Sequence, residues 1–250
     1  MLGCRKLNMN WEVDIAGDLT DLRLLQKAFC SDDFSLTEKN GKFVLRATAF
    51  DGMNDADEVR AKAKELVTSL SGASRALLGA QKQLEVGGVT LIRPDGTKNH
   101  FVLVEPAVIS VHGLPVSVRV TKSDGSVEEH HAADPVRQWL DVAVKNPTVA
   151  KALRLRDKGG LDWVELYRLY EVIESDIPKH EIVQKSWASK KEIRLFKRTA
   201  NSPAVLGDEA RHGKEQYQPP ANPMSIREAR SLVERILRKW ISLIVDQNAP

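Results

Sequence analysis

The first half of the chain alternates between the two-residue period of a half-buried strand and the 3.6-residue period of a helix. Trp11 to Ala16 has the strand pattern, and Asp18 has a side chain that can cap a following helix. Asn40-Gly41 separates two more strand patterns, and both residues tolerate the positive φ of a tight hairpin turn. A second amphipathic stretch, with Asn54 as its candidate cap, carries an apolar stripe at helical spacing, formed by Val59, Ala63, Leu66, Val67 and Leu70.

Further strand patterns lie between Val86 and Val120, interrupted by the turn residues Pro94-Asp95-Gly96. The resulting order of strand, helix, strand, strand, helix and strand matches the split βαβ unit of the ferredoxin-like arrangement. We therefore predict a small mixed α/β domain over residues 1–130, of the α+β class. The α+β class requires only that strands and helices are both present. The ferredoxin-like topology rests in addition on the order of these elements along the chain.

From Asp134-Pro135 onward the apolar residues follow the helical period alone. Asp is a good helix cap and Pro fits the first helical turn, and Asn146-Pro147 repeats the same device. An apolar helical face begins at Trp163, and Pro178 ends that helix. These patterns predict an all-helical bundle over residues 134–250.

Two more helices complete the predicted bundle. We expect one helix over residues 182–199. The last helix is the clearest element of the chain, because Ser225 and Glu228 have the spacing of a capping box and a continuous apolar stripe follows them. This helix is therefore predicted to pack into the helical core.

Composition is that of an ordinary globular protein, since hydrophobic residues make up 42% and charged residues 28% of the chain. No run approaches the roughly 18–20 apolar residues of a membrane span, and Met1 to Asn10 lacks the apolar core of a signal peptide. Cys4 and Cys30 are too few for a disulfide framework and lack the spacing of metal ligands. We therefore expect a cytoplasmic protein without membrane segment, metal site or cofactor.

The positive charge of the chain is concentrated in its second half. Residues 134–250 contain 21 Lys and Arg against 16 Asp and Glu, whereas residues 1–133 contain 16 against 18. This distribution favours an anionic partner for the helical half.

A polar loop between the last two helices, residues 199–223, concentrates the candidate chemistry. A loop of this length is uncommon in a compact domain unless it is functional or disordered. Asn201, Asp208, Arg211 and His212 supply groups for acid–base work, phosphate binding and hydrogen bonding, and they are the candidate catalytic residues. The alternative is that Arg211 and His212 bind helix-end carbonyl groups and hold the loop in place.

A run of basic residues precedes this loop. Its members Lys190, Lys191, Arg194, Lys197 and Arg198 are the candidate nucleic-acid-binding residues, because a row of cations can follow a phosphate backbone. The alternative is an ordinary solvated helix face.

Two segments of the helical half resemble HEPN domains. One is His212-Gly213 in a polar loop, followed by Pro-Met-Ser-x-x-Glu-Ala at residues 223–229 and a long amphipathic helix. The other is Trp-x-x-Leu-Tyr-x-x-Tyr-Glu-x-Ile at residues 163–173. The resemblance covers about residues 134–246, and the same segments resemble those of bacterial proteins.

The resemblance implies a specific chemistry. Active HEPN domains are typically metal-independent endoribonucleases, in which an Arg and a His separated by four to six residues meet the same pair of a second subunit. The His assists proton transfer from the ribose 2′-hydroxyl, and the Arg stabilises the anionic transition state. Here Arg211 directly precedes His212, and no Arg stands at the family spacing, which falls on Val205, Leu206 and Gly207.

Two functional hypotheses follow. In the first, the chain is a non-catalytic interaction protein, or one that binds RNA or another phosphate-bearing ligand, and it forms a homodimer or docks on a protein partner. In the second, it is a metal-independent endoribonuclease that uses Arg211 and His212, in a bacterial defence or stress role.

Overall fold

The computed structural model describes residues 11–31, 33–93, 95–101, 118–121, 127–130, 134–158, 160–178, 180–214 and 218–248. The chain divides into two compact units, residues 1–140 and 141–250. The domain boundaries placed at residues 130 and 134 from the sequence stay a prediction. The turn expected at Pro94-Asp95-Gly96 lies partly outside the described residues, because Pro94 is not among them.

The first unit is built on a five-stranded antiparallel sheet. Its elements along the chain are β1 (Trp11–Ala16), α1 (Leu19–Ala28), β2 (Phe34–Lys39), β3 (Lys42–Ala47), a 3₁₀ turn (Thr48–Phe50), α2 (Ala56–Leu78), β4 (Glu85–Ile92) and β5 (Lys98–Phe101). The strand order is β2-β3-β1-β4-β5. The first four positions match the split βαβ arrangement, and β5 extends the sheet at one edge. A two-stranded ribbon follows, β6 (Val118–Thr121) with β7 (Val127–His130).

Local sequence signals explain where these elements begin and end. The Asp18 carboxylate accepts a hydrogen bond from the backbone N–H of Thr20 and so caps α1. Asn40 and Gly41 have φ of 51° and 76°, which are the positive values that a two-residue hairpin between β2 and β3 requires. The cap of α2 is Asp55 rather than the predicted Asn54.

The core of the first unit is a row of apolar side chains that runs across the sheet. Leu36 pairs with Leu45, Leu45 with Val13, and Val13 with Val89. All four side chains are buried. Since successive side chains of a strand point to opposite faces, this register gives the sheet one apolar face, which packs against the apolar stripes of α1 and α2.

The rest of the described chain is helical. Its elements are α3 (Asp134–Lys145), α4 (Pro147–Asp157), α5 (Trp163–Asp176), α6 (Glu181–Gln184), α7 (Lys190–Ala200), α8 (Pro203–Leu206), a 3₁₀ turn (Gly207–Glu209) and α9 (Ile226–Gln247). The predicted caps are confirmed at Asn146 for α4 and at Ser225 and Glu228 for α9. Sheet and helices together confirm the α+β class.

The helix expected over residues 182–199 is wrong in its first half. Helix α6 ends at Gln184, and Ser186 then takes a positive φ of 56°, which a helix cannot accommodate. Helix α7 starts separately, with Ser189 and Glu192 forming a capping box. The sequence carried this signal, because Ser-x-x-Glu is the same spacing that marks the start of α9.

The core of the helical unit contains an aromatic cluster around Phe196 of α7. The Phe196 ring lies 6.3 Å from Trp163, 5.7 Å from Tyr167 and 5.6 Å from Tyr170, centroid to centroid. The three partners all belong to α5, so this cluster fixes α7 against α5. Across the part of the chain that the structure describes, every helix is too short or too polar to cross a lipid bilayer.

Candidate functional site

The loop after α7 is tied back to that helix by hydrogen bonds. The backbone N–H of Arg211 donates to the carbonyl oxygen of Ala200 at 2.8 Å. The Arg198 guanidinium donates to the carbonyl oxygen of Gln218 at 2.5 Å, and the backbone N–H of Met224 donates to the buried Thr199 hydroxyl at 3.1 Å. The C-terminal turn of α7 therefore holds the described parts of the loop on both sides of residues 215–217.

Arg211 points from this loop onto α5. Its guanidinium carbon lies 4.2 Å from the centroid of the Tyr167 ring, and its Nη2 donates to Glu171 Oε1 at 2.8 Å. Its Nη1 lies 3.1 Å from Nε2 of His212. Three neighbours thus engage the guanidinium, which is the arrangement of a side chain that anchors a loop.

Lys197 repeats this arrangement one helical turn further along α5. Its Nζ lies 4.9 Å from the centroid of the Tyr170 ring and donates to both oxygens of Glu174, at 2.7 and 2.9 Å. The Tyr170 hydroxyl donates to the same carboxylate at 2.9 Å. We call these two arrangements together the tyrosine–cation seam; its members are Tyr167, Tyr170, Glu171, Glu174, Lys197 and Arg211.

The spacing along α5 explains why each cation meets a ring and a carboxylate together. Tyr167 and Glu171 are four residues apart, as are Tyr170 and Glu174, so each pair lies on one face of the helix. Burial raises the pKa of Tyr170, and its hydrogen bond to Glu174 raises it further. Its hydroxyl is the donor in this bond.

His212 is in contact with Arg211 but its acceptor nitrogen is occupied. A guanidinium has only donors, so the 3.1 Å contact requires that Nε2 of His212 carries the lone pair and Nδ1 the proton. A general base needs a free lone pair within reach of its substrate. In this arrangement the lone pair of His212 is directed at Arg211.

The two other candidates in the loop lie apart from this contact. Asn201 ends α7 and donates from Nδ2 to the carbonyl oxygen of Lys197 at 2.8 Å. Asp208 is exposed on the 3₁₀ turn. Among the described residues, no hydrogen bond or ion pair joins either side chain to Arg211 or His212, so the four do not form one cluster.

The five candidate nucleic-acid-binding residues divide into two groups. Lys197 belongs to the seam and Arg198 holds Gln218, so both have structural contacts. Lys190, Lys191 and Arg194 are exposed and make no ion pair or hydrogen bond within the described parts of the chain. We call these three side chains the α7 basic face.

The capping box of Ser189 and Glu192 stabilises the N-terminal end of α7, where this surface begins. Glu192 accepts hydrogen bonds from the backbone N–H and the hydroxyl of Ser189, both at 2.7 Å. These bonds, with a smaller contribution from Arg235, lower the pKa of Glu192 from its ordinary value of 4.5 to about 2. The carboxylate is therefore committed to the helix end and to Arg235, which it meets at 2.7 Å.

Sequence reasoning missed the partners of Arg211 and Lys197. The apolar stripe of α5 predicts Tyr167 and Tyr170 only as core residues, and it gives no reason to single out Glu171 and Glu174. The signal that could have found them is the repeated Tyr-x-x-x-Glu spacing on α5, since a ring and a carboxylate on one helix face can hold a single cation.

No group of three or more His, Cys, Asp or Glu side chains in the described residues is placed to hold a metal ion. Comparison with protein-family models, with curated proteins and with solved structures gives no significant match to this chain. The resemblance of residues 134–246 to HEPN domains therefore stays a prediction.

Proposed function

We propose that the protein is a non-catalytic binding protein whose helical half holds RNA through its phosphate backbone on the α7 basic face. The observation that carries this proposal is that Lys190, Lys191 and Arg194 are exposed on one short helix without acidic partners among the described residues. Free cations in a row are available to phosphate groups, whereas cations in ion pairs must first give up a partner.

The position of the two lysines supports a role in binding rather than in stability. Lys190 and Lys191 occupy the first turn of α7, where the helix dipole favours acidic side chains and disfavours cations by roughly 0.3–1 kcal/mol each. Their charges add to the positive end of the dipole instead of offsetting it. The result is a local concentration of positive potential, which favours anions.

The contacts of Arg211 support the non-catalytic part of the proposal. To stabilise a transition state at phosphorus, its guanidinium would have to leave Glu171 and the Tyr167 ring. The His212 lone pair would also have to turn away from Arg211 before it could take a proton. The loop geometry therefore favours an anchoring role over cleavage.

Fluorescence anisotropy with a labelled single-stranded RNA tests the proposal. The test variant combines Lys190→Gln, Lys191→Gln and Arg194→Gln. The control variant combines Lys151→Gln, Arg154→Gln and Lys239→Gln. It also removes two lysines and one arginine, but from exposed positions on α4 and α9 that are likewise unpaired in the described structure. We expect the test variant to bind at least tenfold more weakly and the control variant to bind nearly as wild type.

Equal losses in the two triple variants would mean that net charge, not the α7 basic face, determines binding. Absence of binding by the wild type at low salt would contradict the proposal outright. Intact RNA after prolonged incubation is expected throughout, because the proposal excludes cleavage. Appearance of cleaved RNA that His212→Ala abolishes would instead favour the endoribonuclease alternative.

The homodimer, which the HEPN resemblance implies, and the protein partner of the interaction hypothesis stay predictions. Light scattering at tens of micromolar distinguishes a dimer from a monomer by mass.

A further inference from the structure

The sheet of the first unit carries a polar row on the face opposite its apolar core. Side chains next to the apolar row point the other way, and they are Ser35, Arg46, Glu12, Thr90 and His100, one from each strand. Glu12 and Thr90 are buried, with 6% and 5% of their surface exposed. The buried groups of this row need hydrogen-bond partners within the protein or from a bound molecule.

An ionic cluster lies at the β2–β3–β1 side of this row. Lys39 Nζ donates to Glu12 Oε1 at 2.6 Å, and Arg46 Nη2 donates to the same oxygen. Burial raises the pKa of Glu12, but the hydrogen bonds and the positive charges of Lys39 and Arg46 together hold the pKa below its ordinary value. Two cations against one carboxylate leave the cluster with one positive charge in excess.

Two donors in this area have no acceptor among the described residues. The atoms Thr37 Oγ1 and Arg46 Nε are both buried, and no hydrogen-bond partner for either lies in the part of the chain that the structure describes. Thr37 lies on β2 between Ser35, which pairs with Arg46, and Lys39, so both orphaned donors belong to one small area of the sheet face. Leaving a buried donor unsatisfied is costly, and a bound anion would satisfy both donors at once.

We propose that Thr37, Lys39 and Arg46 form a binding site for a small oxyanion, of the carboxylate or phosphate type. The Thr37 hydroxyl and Arg46 Nε would each donate one hydrogen bond to it. Because Nε and Nη2 share one edge of the guanidinium, the anion lies beside the Glu12 carboxylate. Lys39 offsets the repulsion between them, and the excess charge of the cluster suits a ligand with a single negative charge.

Lys39 also provides the route of entry. Its side chain reaches from β2 across β3 to Glu12 on β1, and it is 39% exposed, so it can swing outward without disturbing the core. The orphaned donors then become accessible, and Lys39 can return onto the bound anion. This site belongs to the first unit and does not depend on the function proposed for α7.

Thermal unfolding with inorganic phosphate or acetate, each against sodium chloride of equal ionic strength, tests the site. The assay uses the full chain with Lys190→Gln, Lys191→Gln and Arg194→Gln, so that the α7 basic face cannot contribute. We expect a saturable rise in the melting temperature, and the anion that saturates at the lower concentration identifies the ligand as phosphate-like or carboxylate-like. Amide chemical-shift changes confined to β2 and β3 would locate the anion.

Thr37→Val is the decisive variant, because it removes the hydroxyl and keeps the shape. Without anion it should unfold at a higher temperature, since an unsatisfied buried group is gone, and it should bind the anion at least roughly tenfold more weakly, having lost one hydrogen bond to a charged group. Thr68→Val, whose exposed hydroxyl donates within α2, is the matched control. A Thr37→Val variant that is less stable without anion, or that binds as well as the control, would overturn the proposal, as would a response to the anions that never saturates.

Discussion

At the scale of single residues, Arg211 shows how one side chain can look catalytic in the sequence and have structural contacts in the fold. Its fork of donors suits phosphate, but the same fork suits a carboxylate, and Glu171 is 2.8 Å away. The Arg211 guanidinium also stacks on the Tyr167 ring, a contact that binding to phosphate would not require. The residue type alone therefore left both roles open, and the neighbours favour the structural one.

Replacing Arg211 by Ala should lower the free energy of unfolding by about 1–2 kcal/mol, the sum of a partly exposed ion pair and a cation–ring contact. Arg211→Lys should lose less, because the charge remains while the planar contact is lost. Urea unfolding measures both. Lys214→Ala, an exposed change in the same loop, serves as the control, and an Arg211→Ala variant as stable as that control would show that the seam does not hold the loop.

Phe196 is the residue on which the packing of α7 against α5 depends most. It is fully buried, and three aromatic rings of α5 surround it. Phe196→Ala should therefore cost about 3–5 kcal/mol through lost burial and the cavity left behind. Thermal or urea unfolding gives the value, and a cost below about 1 kcal/mol would mean that α7 is held mainly by its polar contacts.

At the scale of elements, α7 depends on the charge state of its capping box. The lowered pKa of Glu192 means that its ionised form stabilises the fold. That contribution is fully present above pH 4.5, the ordinary pKa, and is lost as the pH falls toward about 2. The wild type should consequently exceed Glu192→Gln in stability at pH 7, and the difference should shrink between pH 4.5 and pH 2.

Urea unfolding of both proteins across this range tests that expectation. The comparison isolates Glu192 from the other carboxylates, because they titrate in both proteins. A difference that stays constant down to pH 2 would mean that the charge of Glu192 has no part in the stability.

The elements that the sequence predicted correctly are those with local signals. Asp18, Asn40-Gly41 and Ser225 with Glu228 each act within four residues, and each does what its pattern predicts. The strand order followed from the order of elements. The break before α7 was missed, although the capping-box spacing of Ser189 and Glu192 marks it.

The candidate site was harder to predict, because its contacts are not local. Arg211 meets Glu171 across 40 residues of sequence, and Lys197 meets Glu174 across 23. No pattern within the basic run distinguishes Lys197 from Lys191; only the packing of α7 on α5 does so. The sequence could identify the cations but not those that remain free for a ligand.

At the scale of the whole molecule, part of the positive charge of the second half lies on α7. Of the five basic residues of α7, two have contacts with the fold, and the three of the α7 basic face are without partners in the described structure. Counterion release makes the affinity of such a surface for nucleic acid depend on salt concentration, with a slope of about 0.7 per neutralised phosphate for a single strand.

The most direct test of the central claim is the salt dependence of RNA binding, measured by anisotropy from low to moderate salt. Relative to wild type, the variant with Lys190, Lys191 and Arg194 replaced by Gln should show a slope of log affinity against log salt that is shallower by about 2, since three contacts are lost. The control variant with Lys151, Arg154 and Lys239 replaced should keep the wild-type slope. An unchanged slope in the first variant, or an equal loss in both, would contradict the assignment of RNA binding to the α7 basic face.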